Sequence, residues 1–157
     1  MKTKLIYVGK TKASYLQEGE KEYEKRISRY IPFESIKIPD IKNVKNRSKE
    51  EIKSIESALI LGKIKPSDFV VLLDERGKEY TSLQFSNYIQ SQFNAGNQGL
   101  VFVIGGAYGF ADSVYQRANG KLALSKMTFS HQMVRLFFLE QFYRGLSILN
   151  NEPYHHE

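Results

Sequence analysis

Three glycines, Gly105, Gly106 and Gly109, follow the apolar run Leu100–Ile104, and this is the stretch best suited to hold a ligand. The run is rich in β-branched and aromatic residues and reads as a strand buried on both faces. Glycines at the carboxyl end of such a strand let backbone come close to a ligand, and open α/β sheets bind ligands at that edge. Gly105-Gly106-Ala107-Tyr108-Gly109 is not G-x-G-x-x-G, and no acidic residue between Asp112 and Glu140 is placed to hold a ribose. Gly9-Lys10-Thr11 suggests a phosphate loop, but the earlier glycine of that motif would fall at position 4, where Lys4 stands. With no cysteine, thiolate chemistry and disulfides are excluded. Neither the histidine and glutamate spacings nor Asp74-Glu75 has the pattern of a metal site.

Several elements must position these glycines. A short polar helix over Asp112–Ala118 and a second strand, Lys121–Leu124, lead into the loop Ser125–Phe129. Asp68–Leu73 reads as another buried strand, ending in the loop Asp74-Glu75-Arg76-Gly77-Lys78 at the same edge of a parallel sheet. Upstream, Lys2–Val8 and Phe33–Ile38 read as strands around a helix over 14–30. Its Tyr15, Leu16, Tyr23, Ile27 and Tyr30 stand at helical spacing, with the tyrosines as core and rim. Ser48 and Glu51 make a capping box for a helix to about Leu61, stopped at Gly62, with Ile52, Ile55, Leu59 and Ile60 as its buried stripe. Thr81 and Gln84 cap another helix through Phe93, offering Leu83, Phe85, Tyr88 and Ile89 for burial. From Ser130 one long helix runs to about Leu149, opened by His131 as a locally satisfied helix-start residue and carrying a Glu140–Arg144 i,i+4 pair. It is apolar over more than one face, so a partner subunit is expected as its second surface. Strands alternating with helices predict a mainly parallel α/β sheet flanked by helices, in one domain over 1–157.

The 157 residues, 41% hydrophobic and 25% charged, suit a soluble globular protein. No apolar run approaches the ~20 residues that span a bilayer, and the apolar start Leu5–Gly9 is too short for a signal peptide. A cytoplasmic location is expected. The net charge of +6 is uneven. Residues 1–66 hold 16 Lys and Arg against 9 Asp and Glu, whereas residues 67–157 hold 7 against 8. A basic half points to a polyanion. Asp40–Lys49, with Lys42, Lys45, Arg47 and Lys49, reads as a mobile basic loop for phosphates.

Three separated motifs, IGGAYGF (104–110), LALSKMTFSHQMVR (122–135) and NEPYHHE (151–157), carry a resemblance, with LIYVGK (5–10) and LLDERGKE (72–79) in matching order. Together they resemble the bacterial SPOUT-class methyltransferases that methylate N3 of a pseudouridine in 23S ribosomal RNA. The resemblance implies a SPOUT α/β knot with a C-terminal trefoil knot, which the rarity of threaded connections would not have suggested. It implies S-adenosylmethionine as cosubstrate, no metal, a homodimer, and 23S ribosomal RNA or the ribosome as partner, with neither DNA nor membrane. The cofactor residues it implies are Leu73, Gly105 and the run Leu124, Ser125, Lys126, Met127, Thr128 and Phe129, where backbone contacts are expected to dominate. Tyr154 and His155 are expected to orient the pseudouridine or manage its N3 proton, with Arg144 stabilising negative charge. His156 stands where an arginine is common in the family, so a fixed positive charge there is not required of this chain. A dimer with shallow basic surfaces and no dedicated RNA-binding domain would take much of its recognition from the ribosome's shape, so the assembled ribosome is the expected substrate. The alternatives are a non-enzymatic ribosome- or RNA-binding module and a flavodoxin-like enzyme of small molecules, the latter disfavoured by the absent phosphate motifs.

Overall fold

The buried strands form a parallel sheet whose alternating side chains feed two hydrophobic layers. A computed structural model of the chain describes residues 1–156; Glu157, the last residue of the terminal motif, lies outside the described residues. The strands are β1 (Lys2–Val8), β2 (Phe33–Ile38), β3 (Asp68–Lys78), β4 (Gly99–Ile104) and β5 (Gly120–Leu122). The helices are α1 (Ser14–Ser28), α2 (Lys49–Leu61), α3 (Ser82–Asn94), α4 (Asp112–Arg117) and α5 (Met133–Leu149). Among the described residues the sheet order is β2-β1-β4-β3-β5, and every pairing is parallel.

β4 is central and buried along its whole length. Leu100, Phe102 and Ile104 join Leu5, Val71 and Leu122 in the layer completed by Phe85 and Ile89 of α3 and by Phe138, Leu139 and Phe142 of α5. Val101 and Val103 face the opposite way, with Ile6, Val70 and Leu72, towards Ile60 of α2 and Val114 of α4. This period of two is what a strand imposes, and each such side chain fully buried contributes about 1.5–3 kcal/mol.

β3 runs five residues beyond the expected Leu73, so the expected loop 74–78 is strand with an irregularity rather than a free loop. Leu122 pairs with both Leu73 and Lys78, and the Ala123 N–H donates to the Lys78 carbonyl at 3.0 Å. Gly77 permits this approach, since a Cβ there would lie 2.6 Å from the Leu122 nitrogen. β5 is correspondingly short, ending at Leu122 rather than Leu124.

α5 begins at Met133, three residues after the expected Ser130. Most of its apolar residues are covered inside the chain, by the sheet and by α1 and α3, while Met133 and Phe137 near its start stay 39% and 41% exposed. The expected stripe on α2 is also redrawn. Leu59 is 44% exposed, whereas Glu56 and Ser57 are buried with Ile52 and Ile60. On α1, Tyr15 is 67% exposed and belongs to neither core nor rim. The Thr81–Gln84 capping box forms with both reciprocal bonds, and Ser48 Oγ accepts from the Glu51 N–H at 3.1 Å. Residues 40–49 include a 3-10 turn at Val44–Asn46. No helix among the described residues is long and apolar enough to cross a membrane.

Candidate functional site

Beyond the carboxyl ends of β4 and β5, and against the outer half of β3, lies a cleft of about 600 Å³, within the usual range for small-molecule sites. Its walls are Leu73–Arg76, the glycine loop Ile104–Phe110, Leu122–Ser125 and Met127–Phe129, with Tyr115 of α4 and with His131 and Val134 where α5 begins. Leu73, Gly105, Leu124, Ser125, Met127, Thr128 and Phe129 all line it; Lys126 does not, and is exposed. The run 124–129 lies outside helix and strand, where main-chain donors and acceptors can serve a ligand instead of a ladder. Its turn is set by Ser125 Oγ, which accepts from the Met127 N–H at 3.0 Å.

One charged group is fixed in the wall. Asp74 Oδ2 accepts from the Tyr115 hydroxyl at 2.5 Å, and its Oδ1 accepts from the Arg76 N–H at 2.8 Å. Burial pushes this carboxyl up, but these hydrogen bonds and the Arg76 guanidinium outweigh burial and hold it below the usual aspartate range. The Tyr115 phenol moves the opposite way, raised by burial and by its bond to Asp74. The cleft therefore presents a permanent carboxylate and a permanent phenol at neutral pH. Among the described residues no group of three or more histidines and carboxylates could hold a metal ion.

The side of the cleft formed by the start of α5 is anchored from beneath. Arg135 is 1% exposed. Its guanidinium donates to Thr11 Oγ1 at 2.9 Å and to the Val8 carbonyl, and it lies 4.5 Å from the Tyr7 ring centroid. Thr11 donates in turn to Glu20 at 3.1 Å. Gln132 adds two bonds, accepting from the Lys12 N–H at 2.9 Å and donating to the Lys10 carbonyl at 3.2 Å. The turn Gly9-Lys10-Thr11, which suggested a phosphate loop, is thus the socket that fixes α5. Ser130, rather than His131, accepts from the helix-start N–H of Met133 at 3.1 Å, and His131 lines the cleft instead.

Arg144, Tyr154 and His155 meet in a separate cluster. Arg144 donates to Glu140 Oε1 at 2.6 Å and lies 3.0 Å from His155 Nδ1. A guanidinium can only donate, so Nδ1 accepts and the ring proton sits on Nε2. Tyr154 donates to the same Glu140 oxygen at 3.0 Å, and its hydroxyl is 3.0 Å from that of Tyr23. Burial first, and then its bonds to Tyr23 and Glu140, push the Tyr154 phenol well above its ordinary range. None of these three residues lines the cleft. Val134 and Arg144 are ten residues apart on one helix, hence about 15 Å along its axis.

Sequence reasoning missed Tyr115, Arg135 and Gln132 as parts of the site. Tyr115 lies 41 residues from Asp74, with no signal to link them. Arg135, an arginine inside an otherwise apolar helical run, was the visible anomaly.

The family described as "Predicted SPOUT methyltransferase" matches residues 1–155. A ribosomal RNA large subunit methyltransferase H from Parabacteroides distasonis is 57% identical over 157 residues, the whole of both chains. Its counterpart from Flavobacterium psychrophilum is 56% identical, again over the whole of both chains. The one from Cytophaga hutchinsonii is 53% identical over 156 residues, 99% of this chain and all of that one. Among solved structures, the SpoU methyltransferase AviRb from Streptomyces viridochromogenes in complex with AdoMet superposes with a TM-score of 0.46 at 8% identity. That superposition covers 95% of this chain, which spans 58% of the AviRb chain.

Proposed function

Since the chain belongs to the SPOUT methyltransferase family, we propose that its cleft holds S-adenosylmethionine and that it methylates N3 of a pseudouridine in 23S ribosomal RNA. On this reading the whole chain serves as one domain, in the cytoplasm, on assembled ribosomes. The relatives named as large-subunit ribosomal RNA methyltransferases, identical at about half of all positions over their full length, support the substrate class. The observation that carries the reading is the cleft, where Leu73, Gly105 and five residues of the 124–129 run converge.

The residues present fit this cosubstrate. When bound, S-adenosylmethionine supplies a methyl group activated by a cationic sulfur. Leu73, Ile104, Leu122 and Val134 give the cleft an apolar wall, which excludes water from the adenosine moiety. Asp74, held anionic, complements positive charge. The acceptor nitrogen gains a methyl group and gives up its proton to water, so a positive field beside it favours the reacting anion. Arg144 is suited to supply that field. Tyr154, held as a phenol whose one proton is donated to Glu140, is suited to accept a hydrogen bond from the base and orient it, not to remove its proton. His155, held to Arg144 through Nδ1, is suited to fix the guanidinium in place for that role.

Cleft and cluster are too far apart on one chain to act on one base. We therefore infer a homodimer in which the cluster of one copy completes the cleft of the other. The exposed apolar residues Met127, Met133 and Phe137, with the Phe129 ring 4.8 Å from that of Phe137, give a second copy something to cover. The trefoil knot belongs to the same reading and rests on the family the chain belongs to.

The test is methyl transfer from labelled S-adenosylmethionine to large ribosomal subunits, to whole ribosomes and to naked 23S RNA, with the product mapped by mass spectrometry. One methyl group on N3 of a pseudouridine, formed fastest on ribosomes, is expected; no transfer to any of them would defeat the reading. Mixing a cleft variant, Gly105→Arg, with a cluster variant, Arg144→Ala, should restore activity in mixed dimers. Two inactive variants that stay inactive when mixed would sink the composite site.

A further inference from the structure

Ala107 and Tyr108 wall the cofactor cleft and also a second recess, of about 300 Å³, whose other walls are Asp40, Ile41, Val44, Ile52 and Glu56. Glu56 lies on the buried side of α2 and is 8% exposed. Its Oε1 is enclosed and has no hydrogen-bond partner among the described residues. The carboxyl rests against Gly106, where a Cβ would lie 2.5 and 2.8 Å from its two oxygens. An enclosed, unpaired carboxyl is costly to a fold. An apolar residue would complete the α2 stripe better, and a local rule broken without structural return marks a functional position.

The surroundings define the occupant. Val44 and Tyr108, at 48% and 44% exposed, form the rim. The Lys49 ammonium lies 5.6 Å from the Tyr108 ring centroid, and Lys42, Lys45 and Arg47 flank the segment that lines the recess. Carboxyl acceptors inside, an aromatic ring at the rim and cations outside are the groups that grip an unpaired nucleotide. Carboxylates accept from the amino and imino N–H groups of a base, a ring offers a stacking face, and lysines take the phosphate. A divalent cation is a poorer occupant, because it needs six or more oxygens and the recess offers two carboxyls.

We propose that this recess is a nucleotide subsite, taking an unpaired RNA base other than the one methylated, with its N–H groups read by Glu56 and Asp40. Tyr108 stacks on that base and the cations of residues 42–49 hold its phosphate. Because Ala107 and Tyr108 belong to both cavities, a base seated here bears directly on the wall of the cofactor cleft. The inference rests on RNA being the substrate, as proposed above.

Steady-state methylation of large ribosomal subunits, beside calorimetric titration with S-adenosylmethionine, tests it on the full-length protein. Glu56→Gln keeps the shape and removes an acceptor; Val44→Glu sits at an exposed position and puts a repelling charge at the mouth. Each should raise KM for the ribosomal substrate about tenfold, the weight of one base contact, with cofactor affinity within twofold of the parent. An unchanged KM in both variants overturns the proposal. So does a fall in cofactor affinity matching the rise in KM, which would make the recess a mere support for the glycine loop. Should the parent protein transfer no methyl to any ribosomal substrate, the substrate assignment fails by itself. The subsite is then judged by anisotropy with a fluorescent single-stranded RNA oligonucleotide, and binding equal in Val44→Glu and parent rejects it.

Discussion

In the cleft, the positions expected to meet the cofactor are a glycine, a loop outside the ladders and apolar side chains, and its one buried carboxylate is tied to Tyr115 and Arg76. In the terminal cluster every bond runs between side chains, with Glu140 at the hub of Arg144 and Tyr154. The first arrangement is built to fit a shape and the second to manage charge. A cleft of that kind should tolerate changes of side-chain chemistry along its loop, Asp74 apart, but not of volume. A cluster of that kind should tolerate neither loss of charge nor loss of a hydroxyl, yet leave the cofactor unaffected. On the proposed reading, the two halves of the reaction, holding a methyl donor and preparing its acceptor, fall to separable surfaces.

The largest expected effect tests volume. A Cβ on Gly105 would already lie 3.0 Å from the Phe110 ring, and a long side chain continues into the cleft. Gly105→Arg should weaken S-adenosylmethionine binding more than about a hundredfold, or about 3 kcal/mol, in a protein whose circular dichroism is unchanged. Lys126→Ala, at an exposed position off the cleft, should stay within threefold of the parent. A large loss in Lys126→Ala would mean that this side chain, not the loop backbone, holds the cofactor.

Removing charge from the cluster comes next. Arg144→Ala deletes the partner of Glu140 and of His155 and should lower kcat about 100-fold to 1,000-fold, with cofactor affinity within twofold. Tyr154→Phe removes only the hydroxyl that bridges Glu140 and Tyr23. It should cost about tenfold in kcat and about 1 kcal/mol of stability. If Tyr154→Phe instead loses activity only above neutral pH, the phenol is the proton acceptor and the assignment of roles reverses.

The cleft was more legible in the sequence than the cluster, because one strand end brings its glycines together by local chain geometry. The run 122–129 follows a single short strand and could be placed beside Gly105 by the parallel sheet alone. The extension of β3 to Lys78 was not legible, because DERGK reads as a turn and only pairing with β5 overrides that preference. The Glu140–Arg144 pair could be read from its spacing, but its connection to Tyr23 on α1 depends on how the tail returns across the helices. Arg135 and Glu56 share another reason for escaping notice. Charged residues on helices are read as solvated faces, and only burial shows that the one anchors α5 and the other faces a recess.

The smallest effect sharpens the contrast between the tied carboxylate of the cleft and the enclosed one behind it. Burial, followed by the charge of Asp40, raises the Glu56 carboxyl above its ordinary value of 4.5 in the folded chain. The folded state then holds this proton more tightly than the unfolded state, so the group's contribution to stability falls as pH rises from 4.5 through the folded value. Glu20, also raised by burial, adds to the same slope. Asp74 opposes them, since its lowered carboxyl stabilises the fold above 3.8 and loses that contribution as pH falls through its folded value. Glu56→Gln removes one of the two groups favouring acid. Its melting temperature should exceed the parent's at pH 8, with the gap narrowing towards pH 5, while KM for the ribosomal substrate worsens. A variant that grows more stable as it loses substrate affinity is what a carboxyl kept for recognition predicts. A variant less stable than the parent at pH 8 would make Glu56 a structural support of the Gly106 turn, and the recess behind it ordinary packing.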